Sequence, residues 1–396
     1  MDELTNPYRP GAGARPPALI GRDQLIHQFG VTIRRAAAGR PGKSLMPTGL
    51  RGVGKTVLLN RFAEIAAAEG WSQAFIEVPE NRDFRTLVAT HLRKSLLDLR
   101  ARSATGAVLR ALRVLKAFSL KIPDGPTVVI DVDPLIGQAD SGVIADDTTD
   151  VLVAVGEAAR SANAGFLVAI DELQYLEEDG LAALISAVHR TAQLDLPVVL
   201  VGAGLPQLPG LAGEAKSYAE RLFEFPQIGS LDPADAEAAL QIPAQEAGTD
   251  FTPRALAKTV AESHGYPYFL QEWGYQVWNE AQGQRMTATD VERAQPAVVR
   301  RLDESFFRVR FDRLTPKEKE YLRAMAELGA GPHRSGDIAA CLGVRVESVA
   351  PRRSALITKG MVFSPAHGDT AFTVPLFDEY LRRVMPAWQP NDDPRP

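Results

Sequence analysis

A nine-residue stretch, TGLRGVGKT at residues 48–56, carries residue types whose spacing suits a phosphate group. Gly49 is followed, after four residues, by Gly54, Lys55 and Thr56, which is the Walker A spacing. Glycines let successive backbone N–H groups turn toward a phosphate, and a helix N-terminus adds positive potential. The ammonium group of Lys55 would neutralise phosphate charge, and the hydroxyl of Thr56 would reach Mg²⁺. The neighbouring residues that complete this predicted binding loop are Arg51, Gly52, Val53 and Val57.

A metal-bound phosphate also needs a carboxylate at the end of an apolar strand. Two stretches offer one: VVIDVDP carries Asp131 and Asp133, and FLVAIDE carries Asp171 and Glu172. Predicted helices flank the second stretch on both sides, as a parallel α/β sheet requires, whereas the first lies in a predicted hairpin. We therefore assign Asp171 to Mg²⁺ and Glu172 to polarising the attacking water. The alternative is that Glu172 only caps the loop that follows it.

The elements that must position these residues alternate between strand and helix. Short apolar runs that predict strands lie at 44–49, 72–78, 166–171 and 197–204. Helical spacing of apolar residues predicts helices between them, at 55–70, 149–163 and 180–193. Strands that are apolar throughout and alternate with helices favour a doubly wound parallel sheet covered on both faces. The expected fold class is therefore α/β.

The rest of the chain departs from this alternation. Within the α/β core, β-rich runs flank Pro-Asp-Gly-Pro, which predicts a hairpin insertion over residues 118–134. Beyond the core the pattern becomes helical, and a capping box at Thr315 and Glu318 opens a last group of helices that ends in two short β-runs. That order resembles a winged helix. The predicted parts are an irregular segment (1–18), the core (19–230), a helical lid (231–285), a connecting helix (286–312), a winged-helix-like domain (313–388) and a tail (389–396).

Length and charge limit the class of protein. The chain has 396 residues, with 44 basic and 49 acidic side chains and a net charge of −5, so binding to nucleic acid would require a local basic patch. The single cysteine, Cys341, excludes an internal disulfide framework and fits a reducing compartment. No apolar run reaches the length of a membrane helix. We expect a cytoplasmic protein without a membrane partner.

Four stretches, in order along the chain, resemble the motifs of AAA+ ATPases of the origin-recognition/initiator-like and STAND clade. They are LIGRD, GLRGVGKT, FLVAIDELQ and GYPYFLQ. The resemblance implies a P-loop core of the AAA+ type, a helical lid and a C-terminal winged helix. It also implies that ATP or ADP binds with Mg²⁺ between core and lid.

The same resemblance assigns roles outside the phosphate loop. Gly21 and Arg22 would lie near the adenine, and Gly265 and Pro267 would belong to a lid motif that reports nucleotide state. Pro267 is also explained by the preference of proline for the first position of a helix, and both explanations can hold. Arg221 resembles the arginine finger that such ATPases present to a neighbouring subunit, which implies a homo-oligomer. The alternative for Arg221 is a surface charge in an ion pair.

Two departures from the family pattern affect the expected activity. The strand at 197–204 ends in Gly202, Ala203 and Gly204, where the family usually places a polar sensor, and the nearest amide along the chain is Gln207. The lid motif GYPYFLQ also lacks the arginine that initiator-type lids often offer to the phosphates. Both departures predict slow hydrolysis and a switch-like use of ATP.

The predicted recognition helix of the C-terminal domain carries four basic residues against Glu347, a local charge of +3. They are Arg345, Arg352, Arg353 and Lys359. Such a helix suits DNA, but winged helices also bind proteins, so either partner fits. The function most consistent with the sequence is a nucleotide-dependent molecular switch that hydrolyses ATP slowly. The alternatives are a DNA-remodelling initiator or loader, and an adaptor that holds ATP structurally.

Overall fold

The computed structural model of the protein describes residues 1–11, 13–79, 83–122 and 130–389. The strands of its core are β1 (Ser44–Leu45), β2 (Ser72–Glu77), β3 (Phe166–Asp171), β4 (Val198–Gly202) and β5 (Phe223–Glu224). The helices around them are α1 (Asp23–Ala37), α2 (Lys55–Ala68), α3 (Phe84–Arg102), α4 (Gly106–Ser119), α5 (Ile144–Ser161), α6 (Glu178–Gln193), α7 (Leu208–Ala215) and α8 (Ala219–Leu222). A 3-10 turn, Leu173–Tyr175, follows β3.

The core strands lie side by side and parallel. β2 pairs with β3 and β3 with β4, while β1 pairs with β5. A parallel bridge between Thr48 and Gly204 joins the two groups, so the spatial order is β2-β3-β4-β1-β5. Gly49 therefore follows β1 in the middle of the sheet, next to the carboxyl end of β4. The predicted α/β parallel-sheet core of the P-loop type is confirmed.

Burial on both faces explains why the core strands read as unbroken apolar runs. Along β3, Leu167 and Ala169 face the hydrophobic cluster that contains α1 and α2. Phe166, Val168 and Ile170 face the cluster built from α3 to α6. Because side chains alternate along a strand, a strand covered on both faces needs apolar residues at every position.

The part of the chain after β5 is mainly helical. Its elements are α9 (Pro233–Glu246), β6 (Asp250–Phe251), α10 (Pro253–Glu262), α11 (Pro267–Glu280), β7 (Arg285–Met286), α12 (Ala288–Arg301), a π-helical turn (Leu302–Phe307) and α13 (Arg308–Phe311). The first residues of the chain run along α11, where the Tyr8 ring lies against Gly274 and the Tyr8 hydroxyl donates to the Leu240 carbonyl at 2.5 Å.

The last group of elements combines helices with a small antiparallel sheet. In order they are α14 (Pro316–Leu328), β8 (His333–Arg334), α15 (Ser335–Leu342), α16 (Val346–Thr358), β9 (Val362–Phe363), β10 (Asp369–Phe372) and α17 (Phe377–Val384). β10 lies between β8 and β9. The predicted capping box is present, because Glu318 N–H bonds the Thr315 hydroxyl and the Glu318 carboxylate accepts the Thr315 N–H. We call residues 313–388 the C-terminal module.

The predicted hairpin over 118–134 is wrong wherever the structure describes it. Phe118 and Ser119 end α4, and Phe118 is buried on the apolar face of that helix. Residues 130–134 form no strand, and the Pro-Asp-Gly-Pro turn lies outside the described residues. Asp133 offers its carbonyl to the Arg113 guanidinium at 3.2 Å. Among the described residues that suggested strands, Phe118 belongs to a helix end, and Ile130 and Val132 lie in irregular chain.

Pro351 lies inside the helix that carries the basic residues of the C-terminal module, although proline usually restricts a helix to the residues that follow it. α16 begins at Val346 and includes Pro351. Pro351 is the sixth residue of α16, so its ring removes one backbone hydrogen bond inside the helix. In the described parts of the chain, no helix is long and apolar enough to cross a membrane.

Candidate active site

The loop between β1 and α2 has a backbone that only glycine accepts at three positions. Gly52 and Gly54 have φ of +89° and +93°, in the left-handed region that side chains disfavour. A Cβ at Gly49 would clash with the carbonyl of Ile228. Gly54 caps α2, so the helix starts at Lys55 and its N-terminus points into the loop. The sequence-predicted residues Gly49 to Val57 thus form one continuous turn at the helix N-terminus, the geometry that suits an anion.

Lys55 is the cation at the centre of this loop. Its side chain is buried, with 6% of the residue's surface exposed, and Nζ donates to the carbonyls of Gly49 and Leu50 at 2.9 Å each. Burial lowers the pKa of Lys55 to about 8, while Glu172 and Asp171 oppose that shift. The loop therefore positions the ammonium group. Nearby carboxylates offset only part of the cost of burying its charge, so an added anion would bind favourably there.

Asp171 ends β3 and meets the first turn of α2. The Thr56 hydroxyl donates to Oδ2 of Asp171 at 2.5 Å, and Oδ1 accepts the backbone N–H of Glu172 at 2.9 Å. Asp171 is 3% exposed, and burial raises its pKa, an effect that the Thr56 hydrogen bond opposes. The structure therefore brings together the two residues that the sequence assigns to Mg²⁺.

These two residues fit a magnesium ion held partly by a nucleotide. Among the described residues there is no group of three or more His, Cys, Asp and Glu side chains that could hold a metal. Mg²⁺ bound with nucleotides takes one or two protein oxygens and fills its other positions with water and phosphate oxygens. Thr56 and Asp171 supply that number of protein oxygens.

Glu172 follows Asp171 with its carboxylate held by two other side chains. Its φ of +57° is unusual for a residue other than glycine and turns the side chain out of the strand direction. The Gln174 side-chain amide donates to Oε2 of Glu172, and Nη1 of Arg51 lies 3.9 Å from Oε1. The Glu172 carboxylate thus lies between Arg51 of the phosphate loop and Gln174 of the turn after β3, and it makes no side-chain capping bond to the backbone of that turn.

A cavity of about 640 Å³ lies beside the first turns of α2. Its walls come from the segment before α1, from α1 and from α2, and include Gly13, Leu19, Ile26, Val57 and Asn60. Val57 is the next residue after Thr56, so the cavity begins one residue from the predicted metal ligand. Its walls combine apolar side chains such as Leu19 and Ile26 with polar ones such as Asp23, Asn60 and Arg61, a mixture that offers both contact area and hydrogen-bond partners to a nucleoside.

The residues predicted near the adenine and in the lid motif connect the core to the helical part. Arg22 donates to the Gly229 carbonyl at 2.7 Å, and burial lowers the pKa of its guanidinium. A Cβ at Gly21 would lie 2.5 Å from Asp235 Oδ2, and one at Gly265 would lie 2.7 Å from the Leu231 carbonyl. Pro267 is the first residue of α11. Gly21 and Gly265 therefore both allow close packing at the chain segment that leads from β5 into α9.

The phosphate loop also contacts the helical part and the C-terminal module. The Tyr266 hydroxyl donates to the Arg51 carbonyl, and Tyr268 N–H donates to the Gly52 carbonyl at 3.2 Å. From the module, the Thr373 carbonyl accepts the Arg51 N–H at 3.2 Å. The Arg51 side chain reaches the Gly360 carbonyl at 3.4 Å and the Tyr175 hydroxyl. Arg51 is thus a junction between the loop, the turn after β3 and the module.

Arg221 lies away from these residues. It is exposed, in the short helix α8 that leads into β5. Ser44 of β1 pairs with Phe223 of β5 in parallel, so Arg221 lies at the amino end of the sheet. The phosphate loop follows the carboxyl end of β1. Arg221 could therefore reach a phosphate only in another copy of the chain.

Two of the four basic residues predicted to contact DNA have partners inside the protein. The Arg353 guanidinium donates to the Thr370 hydroxyl at 2.8 Å and the Ser364 hydroxyl at 2.7 Å. Lys359 forms an ion pair with Glu318 at 2.7 Å. The local charge that suggested DNA binding is therefore partly used to hold the module together.

Sequence reasoning missed Gln174, Tyr175 and Thr373. Gln174 stands two residues after Glu172 in FLVAIDELQ. A polar side chain so close to the acidic end of a strand could have been predicted to contact the Glu172 carboxylate. Nothing in the sequence pattern indicates that Thr373, more than three hundred residues from Arg51, meets the phosphate loop.

Comparisons with known proteins agree with the described fold. Residues 18–201 match the sequence family described as the AAA ATPase domain, and residues 304–381 match a domain of unknown function, DUF8462. None of the curated protein sequences compared with the chain is a significant match. Among solved structures, the Walker-type ATPase PabY2304 of Pyrococcus abyssi superposes with a TM-score of 0.60 at 16% identity, over 94% of this chain and 98% of that one. This likeness concerns the fold alone.

Two further structures cover most of the chain with lower scores. The Aeropyrum pernix Orc1 protein, solved in complex with DNA, has a TM-score of 0.45 at 18% identity, over 94% of both chains. The RuvB Holliday junction branch migration motor of Thermotoga maritima has a TM-score of 0.46 at 16% identity, over 90% of this chain and 95% of that one. At these scores neither likeness carries an argument about function.

Proposed function

We propose that the protein is a nucleotide-dependent switch that hydrolyses ATP slowly, because residues 18–201 match the AAA ATPase domain family and carry its phosphate loop. The observation that carries this proposal is the hydrogen bond from Thr56 to Asp171 at 2.5 Å, beside the buried Lys55. This hydrogen bond joins the phosphate loop to the carboxylate at the end of β3, although the two residues lie 115 positions apart in the sequence. The cavity next to Val57 would take the nucleoside.

In this proposal each residue has a separate task. Lys55 and the glycine-rich turn bind the phosphates, and Thr56 and Asp171 hold Mg²⁺, which neutralises phosphate charge when it is bound. Glu172 orients the attacking water and accepts its proton. The backbone N–H groups of the phosphate loop are oriented by three glycines. A phosphate bound by these groups would therefore change the position of the residues that contact the edge of the loop.

The switch is supported by the contacts of that rim. Arg51 donates through its backbone to Thr373 and through its side chain to Gly360, so the C-terminal module contacts the phosphate loop directly. Burial and the neighbouring Arg51 lower the pKa of Arg310, in the helix leading to the module, to about 10. A crowded pair of guanidinium groups at the rim favours an added anion there. Nucleotide binding would therefore change how the module is held.

DNA remodelling is the second candidate, and the C-terminal module gives it less support. Arg353 and Lys359 serve internal hydrogen bonds and an ion pair rather than an open basic surface. The remaining support for DNA is the order of elements in the module, which resembles that of a winged helix. An adaptor with structural ATP remains the third candidate, and turnover separates it from both.

Phosphate release with Mg²⁺ and ATP tests the proposal. We expect slow turnover in the wild-type chain, loss of ATP binding in Lys55→Ala, and retained binding without turnover in Glu172→Gln. Micromolar ATP affinity in Lys55→Ala, or equal turnover in wild type and Glu172→Gln, would overturn the assignment. Duplex-DNA binding with and without ATP, at stated salt, tests the second candidate, and ATP-dependent DNA affinity in the nanomolar range would favour it.

A further inference from the structure

We propose that Gln174 is a positioning residue that supplies, from the turn after β3, the polar group that the end of β4 lacks. This inference rests on the proposed ATPase function and concerns how Glu172 is oriented. It starts from the three small residues Gly202, Ala203 and Gly204, which occupy the place where a polar side chain was expected.

The small residues at the end of β4 make room for the turn after β3. A Cβ at Gly202 would clash with the Leu173 side chain, and one at Gly204 would lie 2.9 Å from Oε1 of Gln174. Leu173 N–H also donates to the Ala203 carbonyl at 2.9 Å. The space at the end of β4 is therefore filled by Leu173 and by the amide of Gln174.

The orientation of the Gln174 amide is determined by its partners. The backbone N–H of Leu205 lies 3.0 Å from Oε1 of Gln174, and a backbone N–H can only donate. The side-chain oxygen of Gln174 must therefore face Leu205, which leaves its NH₂ group to face Glu172. That NH₂ group donates to Oε2 of the Glu172 carboxylate. The Glu172 carboxylate is thus held by a side chain of the turn that follows it.

The same hydrogen bonds link Glu172 to the phosphate loop. Gly49 N–H, at the start of that loop, donates to the Gly204 carbonyl at 3.1 Å. Leu205 follows Gly204 and donates to Gln174. A shift of the loop on binding phosphate would pass through this short chain segment to the Gln174 amide. Gln174 therefore sets the position of the Glu172 carboxylate in response to the loop.

Gln207, the amide nearest to β4 along the sequence, does not take this role. It caps α7, and its side-chain oxygen is buried without a hydrogen-bond partner in the structure. The two glutamines therefore make a direct comparison. Gln174 contacts Glu172, whereas Gln207 has no recorded contact with it.

The test uses three variants of the full chain: Gln174→Ala, Gln174→Glu and Gln207→Ala. The Gln174→Glu side chain can still accept from Leu205, but it cannot donate to Glu172 and adds a like charge. We expect both Gln174 variants to lower kcat by about 10- to 100-fold, the loss typical of a misplaced catalytic group, with ATP affinity changed less than about threefold. Gln207→Ala should keep kcat within about threefold of wild type, provided that its melting temperature is unchanged.

Hydrogen exchange of the nucleotide-free protein gives a second measurement. The Leu205 amide should exchange faster in Gln174→Ala and at the wild-type rate in Gln174→Glu. Wild-type kcat in both Gln174 variants, or a loss of kcat in Gln207→Ala alone, would overturn the inference. Absence of turnover in the wild-type chain would instead overturn the proposed function, and the exchange of Leu205 would still test the hydrogen bond.

Discussion

The hydroxyl of Thr56 donates to Oδ2 of Asp171 at 2.5 Å, which connects the first turn of α2 to the last residue of β3. Asp171 is buried and its carboxylate would be costly there without a donor. The Thr56 hydroxyl and the Glu172 N–H provide two. The Thr56 hydroxyl oxygen and the Asp171 carboxylate oxygen are also suited to Mg²⁺. Their hydrogen bond therefore holds the two metal-binding residues together before a nucleotide binds.

ATP affinity should fall above about pH 8 because burial lowers the pKa of Lys55 to about 8. A neutral amine does not attract phosphate, so the dissociation constant should rise by up to about tenfold per pH unit above that value. Lys55→Arg is the control, because a guanidinium group does not titrate between pH 7.5 and 9.5. We expect this variant to bind ATP more weakly than wild type, with a dissociation constant that stays constant over that range. Equilibrium binding of a fluorescent ATP analogue measures both. A flat wild-type profile would contradict the prediction.

The same pKa predicts a stability change of the nucleotide-free protein. The folded-state pKa of Lys55, about 8, lies below the ordinary lysine pKa of 10.5. Between these values the unfolded chain binds the proton and the folded protein does not, so the free energy of unfolding gained from this residue increases with pH. Denaturant unfolding of wild type and Lys55→Met between pH 7.5 and 9.5 isolates the contribution. The free energy of unfolding of wild type, relative to that of Lys55→Met, should increase as pH rises.

Glu172→Gln should stop turnover while ATP still binds. The substitution keeps the shape of the side chain but removes the base, and general-base catalysis contributes about 100- to 10,000-fold. Single-turnover hydrolysis and equilibrium binding, measured on the same preparation, separate the two effects. Asp133→Asn is the control: it changes an acid of the rejected VVIDVDP stretch, and it should turn over ATP like wild type. A kcat loss in Asp133→Asn equal to that of Glu172→Gln would contradict the choice of strand.

The order of the core was predictable because local and global signals agree. An apolar strand, a glycine-rich turn and a helix follow one another at 44–70, and the apolar pattern of β3 requires two covered faces. The choice of Asp171 over Asp131 also followed from the helices that flank β3. The hairpin predicted at 118–134 is wrong in its described residues because an aromatic residue such as Phe118 can finish a helix as well as form a strand, and periodicity cannot separate these in short runs.

The unpredicted part of the site consists of contacts between distant segments. Gln174 could be found from its place after Glu172, but its orientation depends on the N–H of Leu205. For Arg353 and Lys359 the sequence predicted contact with an external partner. In the structure Arg353 hydrogen-bonds to Thr370 and Lys359 pairs with Glu318, so part of this positive charge is used inside the protein. Local composition gives the type of a side chain and not its neighbours.

Gly360→Ala should loosen the C-terminal module from the phosphate loop and increase ATP turnover. A Cβ at Gly360 would lie 2.6 Å from Nη2 of Arg51 and 3.1 Å from the Tyr175 hydroxyl. Losing this contact, worth about 1–2 kcal/mol, should speed nucleotide release by roughly 5- to 30-fold. Stopped-flow displacement of a fluorescent nucleotide measures the rate.

Gly368→Ala is the matched control for that experiment. Gly368 has φ of +83°, so alanine carries the same kind of backbone strain as at Gly360, but no atom lies within 4 Å of its added Cβ. Gly368→Ala should therefore lose stability without changing nucleotide release. Release that is faster than wild type by the same factor in both variants would show that backbone strain, rather than the contact with Arg51, controls the module, and wild-type release in both would contradict the prediction.

Arg221→Ala should lower turnover only through another copy of the chain. Arg221 is exposed at the amino end of the sheet, whereas Lys55 and Glu172 lie at the carboxyl end, so one chain cannot bring the two together. If Arg221 is an arginine finger, its removal should reduce kcat by about 1,000-fold or more at concentrations where copies associate. Mixing Arg221→Ala with Glu172→Gln should then restore turnover, because the second variant supplies Arg221 to a site with an intact Glu172. The control is each variant alone at the same total concentration. Turnover in the mixture that equals the sum of the two separate variants would show that Arg221 is an ordinary surface charge.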